Sequence, residues 1–317
     1  MTNNDSKYKI IDKKDYQKYS LLSPFNEINQ IPSQLYFYGN NNLLNKKNTK
    51  ILCIIGSRKM TNYGKQAVDY LVSGLQNYNI IIISGLALGI DSEAHKAAIR
   101  YNIPTITFPG SGLDEEVLYP KTNIDLFENI IKENGAAISE YKPKEKSQMY
   151  FFPARNRLMA ALSDLILVIE AEEKSGTQIT ARLALEYNKD VAIVPGSIFS
   201  AYSRGTAQLF KDGAYPVTSS EDIIDLLKLN DNKNIFEDLN NSNNKDLSNN
   251  TKQTHPLSEK EEAILNILKS PIHKDDLLDN QLLKSKNLSS IDILITLTEL
   301  ESKGFIKDNY GEIIRVK

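Results

Sequence analysis

The residues best able to do chemistry lie between Phe151 and Asn188. Phe151-Phe152-Pro153-Ala154-Arg155-Asn156-Arg157 is followed by a helix-like run with Leu158, Leu162 and Leu165 on one stripe. Pro153 suits a first helical position, where its missing N–H has no partner to lose. That placement puts Arg155 and Asn156 in the first turn, where unpaired backbone N–H groups favour an anion. Leu165 to Ile169 is an unbroken apolar strand, as expected when both faces of a parallel sheet are covered. Ser175-Gly176-Thr177 then opens a helix patterned by Ile179, Leu183 and Tyr187. A strand, a glycine turn and a helix start form a ready phosphate site. Anion binding is therefore the chemistry this segment offers.

The elements that position it are regular from Ile51 onward. Strands are expected at Ile51–Ile55, Ile80–Ile83, Thr105–Phe108, Ala136–Ser139, Leu165–Ile169 and Val191–Val194. Helices fall between them, among them Tyr63 to Tyr78 and Ile124 to Glu133. Alternation of this kind predicts an α/β domain with a parallel sheet and helices on both faces. Several strands run into turns carrying Gly56-Ser57-Arg58, Ser84-Gly85 or Gly110-Ser111-Gly112. Ligands of such sheets bind outside the carboxyl ends of the strands, so these loops should share one rim. Lys142, Lys144 and Lys146 precede Phe151, and Tyr150, Phe151 and Phe152 offer stacking faces. Arginine forks suit phosphate, and aromatic faces suit unpaired bases.

Around this block, residues 1–49 are polar and rich in Asn and Lys, with seven basic and four acidic side chains. They read as a solvated lead-in, with a short strand and turn at Pro32 to Asn40 packed on the main domain. The main domain is assigned to 50–228. Residues 229–256 read as a linker; nine of the 26 residues from 229 to 254 are Asn. From 257 to 317, Ser258 and Glu261 form a capping box. Three short helices and a hairpin around Asn309-Tyr310-Gly311 give the outline of a winged helix-turn-helix. This C-terminal part carries nine Lys and Arg against eleven Asp and Glu. Its presumed recognition helix, Ser289 to Lys303, holds Asp292, Glu299 and Glu301 against Lys303 alone, which opposes contact with phosphates.

Charge and composition narrow the classes. A net charge of −2 over 317 residues supplies no global attraction for nucleic acid or anionic membrane, so any such binding must be local. The single cysteine, Cys53, sits in an apolar run and reads as a buried core thiol, and a chain without a disulfide framework fits the cytoplasm. No apolar run approaches the ~20 residues of a membrane span, and the polar stretch Met1 to Lys9 does not read as a signal peptide. There is no Gly-x-x-x-x-Gly-Lys-Ser/Thr loop and no Gly-x-Gly-x-x-Gly after the first strand. His95, His255 and His273 are far apart, without metal-ligand spacing. His95 is expected to order its own turn through Asp91 or Glu93. No cofactor, metal or catalytic residue is called for.

Taken in order, the motifs resemble the DNA-processing protein A (DprA/Smf) family. They are Gly56-Ser57-Arg58 with Tyr63-Gly64, Ser84-Gly85-Leu86-Ala87 with Gly89-Ile90-Asp91 and Ala94-His95, and Gly110-Ser111-Gly112-Leu113-Asp114 with Tyr119-Pro120. Ser139-Glu140-Tyr141, Phe152-Pro153 with Arg155-Asn156-Arg157, Glu170-Ala171, and Ser175-Gly176-Thr177 with Thr180-Ala181 follow. The match runs from residue 32 to about 227. The resemblance implies an extended Rossmann-like domain that binds single-stranded DNA, a homodimer, and delivery of that DNA to the recombinase RecA during natural transformation. It also implies a C-terminal winged helix, Arg58 as a DNA contact, and a phosphate-binding face around Arg155 and Ser175. Apolar Ile198, Phe199, Tyr202, Leu209 and Phe210 exceed what a terminal layer needs, and so mark the dimer surface or a cover for the sheet edge. A rival reading is a nucleotide-acting enzyme of the phosphoribohydrolase-like group, whose Pro-Gly-Gly-x-Gly-Thr signature is broken here at Pro109-Gly110-Ser111-Gly112-Leu113.

Overall fold

The computed structural model describes residues 7–45, 48–229, 258–268, 272–280, 283, 289–303, 305–309 and 312–315. The chain divides into two units, Met1–Asn244 and Lys245–Lys317. All but Leu229 of the expected linker at 229–256 lies outside the described residues, and Leu229 itself is buried in the core of the first unit.

The first unit is built on a nine-stranded sheet. Its strands are β1 (Lys9–Asp12), β2 (Gln34–Gly39), β3 (Lys50–Ile55), β4 (Ile80–Ser84), β5 (Thr105–Thr107), β6 (Ala136–Ser139), β7 (Leu165–Val168), β8 (Asp190–Ile193) and β9 (Tyr215–Pro216). Their order across the sheet is β1-β2-β6-β5-β4-β3-β7-β8-β9. From β6 to β9 every pairing is parallel, whereas β2 pairs antiparallel with both β1 and β6. The central strands read as apolar runs because both faces are covered. Leu52, Ile54, Ile80 and Ile82 face one core, and Cys53, Ile55, Ile81 and Ile83 the other. Cys53 is a fully buried free thiol, and burial pushes its pKa up to about 12.

The helices that cover the sheet are α1 (Asn62–Ser73), α2 (Ile90–Arg100), α3 (Ile124–Lys132), α4 (Phe151–Leu162), α5 (Gly176–Glu186), α6 (Arg204–Lys211) and α7 (Ser220–Leu226). Thr61 caps α1 by accepting from the Gly64 N–H, and α1 stops at Ser73, one turn before the expected Tyr78. A Cβ on Gly74 would meet the Ser220 side chain at 2.3 Å, so α7 packs closely on this end of α1, and the chain turns away through Asn77, whose φ is +74°.

Residues 7–45 are not a solvated lead-in. Tyr16, Leu22, Phe25, Leu35, Phe37 and Leu44 are all fully buried, and Tyr16 and Phe25 meet edge-on at 5.9 Å. Short 3-10 turns at Lys13–Lys18 and Ser23–Glu27 carry these rings onto α4, and the Tyr16 hydroxyl donates to Pro32 O at 2.9 Å. The apolar residues are too widely spaced for helix or strand periodicity, which is why the segment reads as polar. The strand and turn expected near Pro32 to Asn40 is β2.

The second unit holds α8 (Glu259–Ile267), β10 (Ile272–His273), α9 (Lys274–Leu278), α10 (Ser290–Ser302), β11 (Ile306–Asn309) and β12 (Glu312–Arg315). The strands form an antiparallel sheet in the order β10-β12-β11. The Ser258 capping box is present, and a second one at Ser289 and Asp292 opens α10. Lys303 reaches Glu261 at 2.6 Å and Lys260 reaches Asp292 at 2.7 Å, tying α10 to α8. No described helix is long and apolar enough to cross a membrane.

His95 lies inside the first unit's core rather than in a turn. Its Nδ1 is 2.7 Å from Thr105 Oγ1, which spends its own proton on Ile82 O, so Nδ1 carries the hydrogen. Neither Asp91 nor Glu93 is its partner. Burial pushes its pKa down to about 3, against about 6.5 for the unfolded chain. The unfolded state therefore takes up a proton that the fold refuses. Stability present above pH ~6.5 falls by about 1.4 kcal/mol per pH unit toward pH ~3. Urea melts of His95→Asn across that window should show a shallower slope than the parent; an unchanged slope would place the titration elsewhere.

Candidate nucleic-acid interface

Strand order reverses between β3 and β7. The chain runs from β3 through β4 and β5 to β6 on one side, then returns to place β7, β8 and β9 on the other. Loops leaving neighbouring strands in opposite directions open a crevice at their carboxyl ends. A cleft of about 590 Å3 lies there, walled by Gly56-Ser57-Arg58-Lys59 after β3 and by Glu172 and Lys174–Thr177 after β7. Tyr119, Met149, Phe152, Arg155 and Asn156 complete its walls.

The β3 turn is held tightly. Ser57 O accepts from the Ile90 N–H at 3.1 Å, and Ser57 Oγ accepts from the Lys59 N–H at 3.0 Å. A Cβ on Gly89, whose φ is +76°, would stand 2.2 Å from Ser57 O, so glycine is required for this close approach. The turn leaves Arg58 exposed with its guanidinium 5.5 Å from the centre of the Phe152 ring. Tyr119 tilts against the same ring at 5.6 Å. A cation over an aromatic face beside a second ring presents charge and stacking surface together.

Opposite stands the start of α5. Ser175 is its N-cap residue but its side chain caps nothing, and Ser175 Oγ and Gln178 Nε2 have no hydrogen-bond partner. A Cβ on Gly176 would meet nothing within 4 Å, so this helix start is open. Thr177 is oriented inward, its Oγ1 donating to Gly56 O at 3.3 Å across the cleft floor. Lys174 adds a cation to this wall.

Arg155 plays a different part from Arg58. Helix α4 begins at Phe151, so Pro153 is its third residue and not its first, and Arg155 and Asn156 fall in the second turn. The start is shifted because Phe151 is itself fixed, stacked on Tyr141 at 3.6 Å and 8°. Arg155 is only 4% exposed; its Nη1 donates to Gly85 O and its Nε to Asn156 Oδ1 at 3.2 Å. Burial lowers its pKa to about 10, which leaves it charged at neutral pH. Asp91 reaches the same face of Gly85, and a Cβ on Gly85 would meet the Arg155 guanidinium at 2.5 Å and Asp91 Oδ2 at 2.6 Å. Burial raises the Asp91 pKa, against the pull of Arg155 and of backbone N–H groups at Ala87 and Gly85. The pair clamps the loop after β4, in which Leu86 has a φ of +59°.

Of the residues singled out by sequence, Gly56, Ser57, Arg58, Phe152, Arg155, Asn156, Ser175, Gly176 and Thr177 come together on the cleft. The others do not. Ser84 is buried, donating to Ile54 O at 2.6 Å, and Gly85 is filled by Arg155 and Asp91. Gly110, Ser111 and Gly112 are buried too. A Cβ on Gly110 would meet the Phe152 ring at 2.5 Å, and one on Gly112 would meet Lys142 O at 2.2 Å. Their glycines admit this chain's own atoms, not a phosphate. Arg157 points away from the cleft and pairs with Glu140, and Lys144 is exposed on the approach loop without lining the cleft. Lys59, Lys174 and Tyr119 line it without having been singled out. Lys174 stands directly before the Ser-Gly-Thr turn, which is the signal that could have found it.

A Rossmann-like sheet with a phosphate-compatible crevice at its switch point defines the class of protein. The chain belongs to the DNA recombination-mediator protein A family, whose model matches residues 7–228. The DNA processing protein DprA of Streptococcus pneumoniae is 38% identical over 219 residues, 67% of this chain and 75% of that protein. DprA of Bacillus subtilis is 38% identical over 196 residues, 62% of this chain and 64% of that protein. Among solved structures, the pneumococcal DprA superposes with a TM-score of 0.62 at 35% identity, covering 69% of this chain and 74% of the other. Helicobacter pylori DprA, described for its single-stranded DNA binding mode, superposes with a TM-score of 0.58 at 29% identity, covering 73% and 96%.

The two arginines should separate by their effect on stability. Arg155→Ala leaves the Gly85 carbonyl and the buried Asp91 carboxyl without the guanidinium and should cost the first unit about 3–5 kcal/mol in urea unfolding. Arg58→Ala should stay within about 0.5 kcal/mol of the parent. Equal stability of the two variants would contradict the division of roles.

Proposed function

We propose that this chain binds single-stranded DNA without chemistry on it, protects incoming DNA, and loads a RecA-type recombinase in natural transformation or recombination, within the cytoplasm. The observation that carries the DNA contact is the cleft itself: Arg58 over Phe152 on one wall, the open start of α5 with Lys174 on the other. Phosphate contacts from these groups give affinity with little sequence preference. The Helicobacter pylori relative, described as a single-stranded DNA binder, supports the choice of ligand. Delivery to RecA and the setting in transformation rest on the family resemblance.

One feature favours the rival enzyme reading: Asp91, a buried carboxyl with a raised pKa on the cleft wall. The Arg155 guanidinium and the backbone N–H groups at Ala87 and Gly85 pull that pKa back down against the burial. The carboxylate of Glu170 is spent on Thr61, accepting from its N–H at 3.0 Å and its hydroxyl at 2.5 Å. Incubation with nucleoside monophosphates decides between the readings, since release of free base would establish the enzyme.

The second unit serves, in this reading, as a winged helix that does not drive DNA binding. Its helix α10 exposes Leu294, Ile295, Glu299 and Glu301, a surface suited to a protein partner and repelled by phosphate. We assign self-association to the β9 edge of the first unit. Leu209 is buried and Tyr202 half-buried, so both cover the sheet within one subunit. Phe210, Tyr215 and Leu185 remain about half exposed there.

Arg58→Ala should weaken binding of every single strand and flatten the dependence of log K on log salt by close to one contact. Full affinity for duplex, or an unchanged slope, would count against the cleft. A chain ending after Leu229 should keep its single-strand affinity and remain dimeric by light scattering. A large loss of affinity in the folded fragment would return DNA binding to the second unit, and a monomer mass at high concentration would remove the dimer from the first.

A further inference from the structure

A second apolar feature stands on the same rim as the cleft: Ile198 and Phe199, expected from sequence in a dimer surface or an edge cover, cover nothing in this subunit and lie outside the surface assigned above to self-association. Strand β8 ends at Ile193, and the chain turns through Pro195-Gly196-Ser197-Ile198-Phe199-Ser200. Ile198 is 84% exposed and Phe199 91%. The turn is nevertheless fixed. The Phe199 N–H donates to Ser197 Oγ at 3.3 Å, and the Ser200 N–H to Ser197 O at 3.0 Å. The Tyr63 hydroxyl donates to Pro195 O, and a Cβ on Gly196 would meet Ser203 Oγ at 2.2 Å. An ordered turn that holds two large apolar side chains in water implies a ligand that covers them.

Position and charge identify that ligand. The turn leaves the carboxyl end of β8, which neighbours β7, whose following loop forms one cleft wall. Beyond the turn, Tyr202 O accepts from the Ala171 N–H at 2.8 Å and Ala171 O accepts from the Gly205 N–H at 2.8 Å. This attaches the segment to the base of Glu172, a cleft residue. From Pro195 to Arg204 the only charged side chain is Arg204, while Glu172 and Glu173 stand exposed beside the cleft. With no cation before Arg204, the tip of the turn has no charged group to pair with a phosphate. It offers an aromatic face and a β-branched side chain, which suit the flat face of an unpaired base.

We propose that Phe199, with Ile198 behind it, stacks on an unpaired base of the single strand where that strand leaves the cleft. The contact rests on the single-strand reading above. It is directed to bases, so it adds affinity without releasing counterions.

The chain contains no tryptophan, so Phe199→Trp in the full-length protein places a lone fluorophore at the tip. Oligothymidylate should quench it, and an abasic deoxyribose-phosphate strand of equal length should not. Phe199→Ala should weaken oligothymidylate binding about five- to tenfold with the salt slope and the abasic affinity unchanged. Normal binding by labelled-strand anisotropy with the introduced indole unquenched, or equal quenching by the abasic strand, overturns the contact and leaves the cleft reading standing. An emission spectrum of the Phe199→Trp protein that shifts with protein concentration alone shows a second copy on the turn, and also overturns it. If the unsubstituted protein binds no single strand, the cleft reading fails and this contact fails with it.

Discussion

A guanidinium taken out of water sets the terms for the rest of the molecule. Arg155 stays charged in the interior, where Gly85 O accepts from it and the Asp91 carboxyl lies against the same face of that glycine. A buried charge of this kind is tolerated only while its partners are in place. The α4 turn that carries Arg155, the loop after β4 and the start of α2 that carries Asp91 therefore move together or not at all. Asp91 reaches into this arrangement because Gly89, with its positive φ, lets α2 begin against Ser57 O. The turn that presents Arg58 is thereby fixed by the same set of contacts. The exposed arginine that faces the cleft depends on the buried one behind it.

The cleft follows from topology as much as from side chains. Adjacent strands β3 and β7 send their chains to opposite sides, and nothing in either loop fills the space between. The open start of α5 and the Arg58–Phe152 pair face that space from opposite walls. Donors fixed before a ligand arrives and stacking faces that accept any base are what an extended polyanion needs from such a site.

The N-terminal strap changes how the sheet ends. Without β1 and β2, β6 would be an edge strand of bare Ala and Ile. Strand β2 runs against its neighbour and covers that edge, and Tyr16 and Phe25 lock the strap over α4. An exposed flat edge invites pairing with other chains. At the far end β9 is two residues long and ends in Pro216, which blunts that edge by other means.

The alternation of apolar strands with helices, the glycine turns after β3 and β7 and the capping box at Ser258 were legible along the chain. Each rests on local periodicity or on a short-range hydrogen bond. So were the buried Cys53 and the gathering of Arg58, Phe152, Ser175 and Thr177 on one rim. What the chain order could not show was which glycine turns stay open. Gly56, Gly110 and Gly112 look as phosphate-ready as Gly176, yet Ile90, Phe152 and Lys142 O, distant in sequence, occupy their space. In the same way Arg155, Arg157 and Arg58 are alike as residues, and only packing sends one into the core, one to Glu140 and one to solvent. Of the strap only β2 was legible, because irregular 3-10 turns carry no period and their apolar residues find one another only across the folded sheet. Residue type sets what a group can bind; whether it is free to bind depends on neighbours that only the tertiary structure brings together.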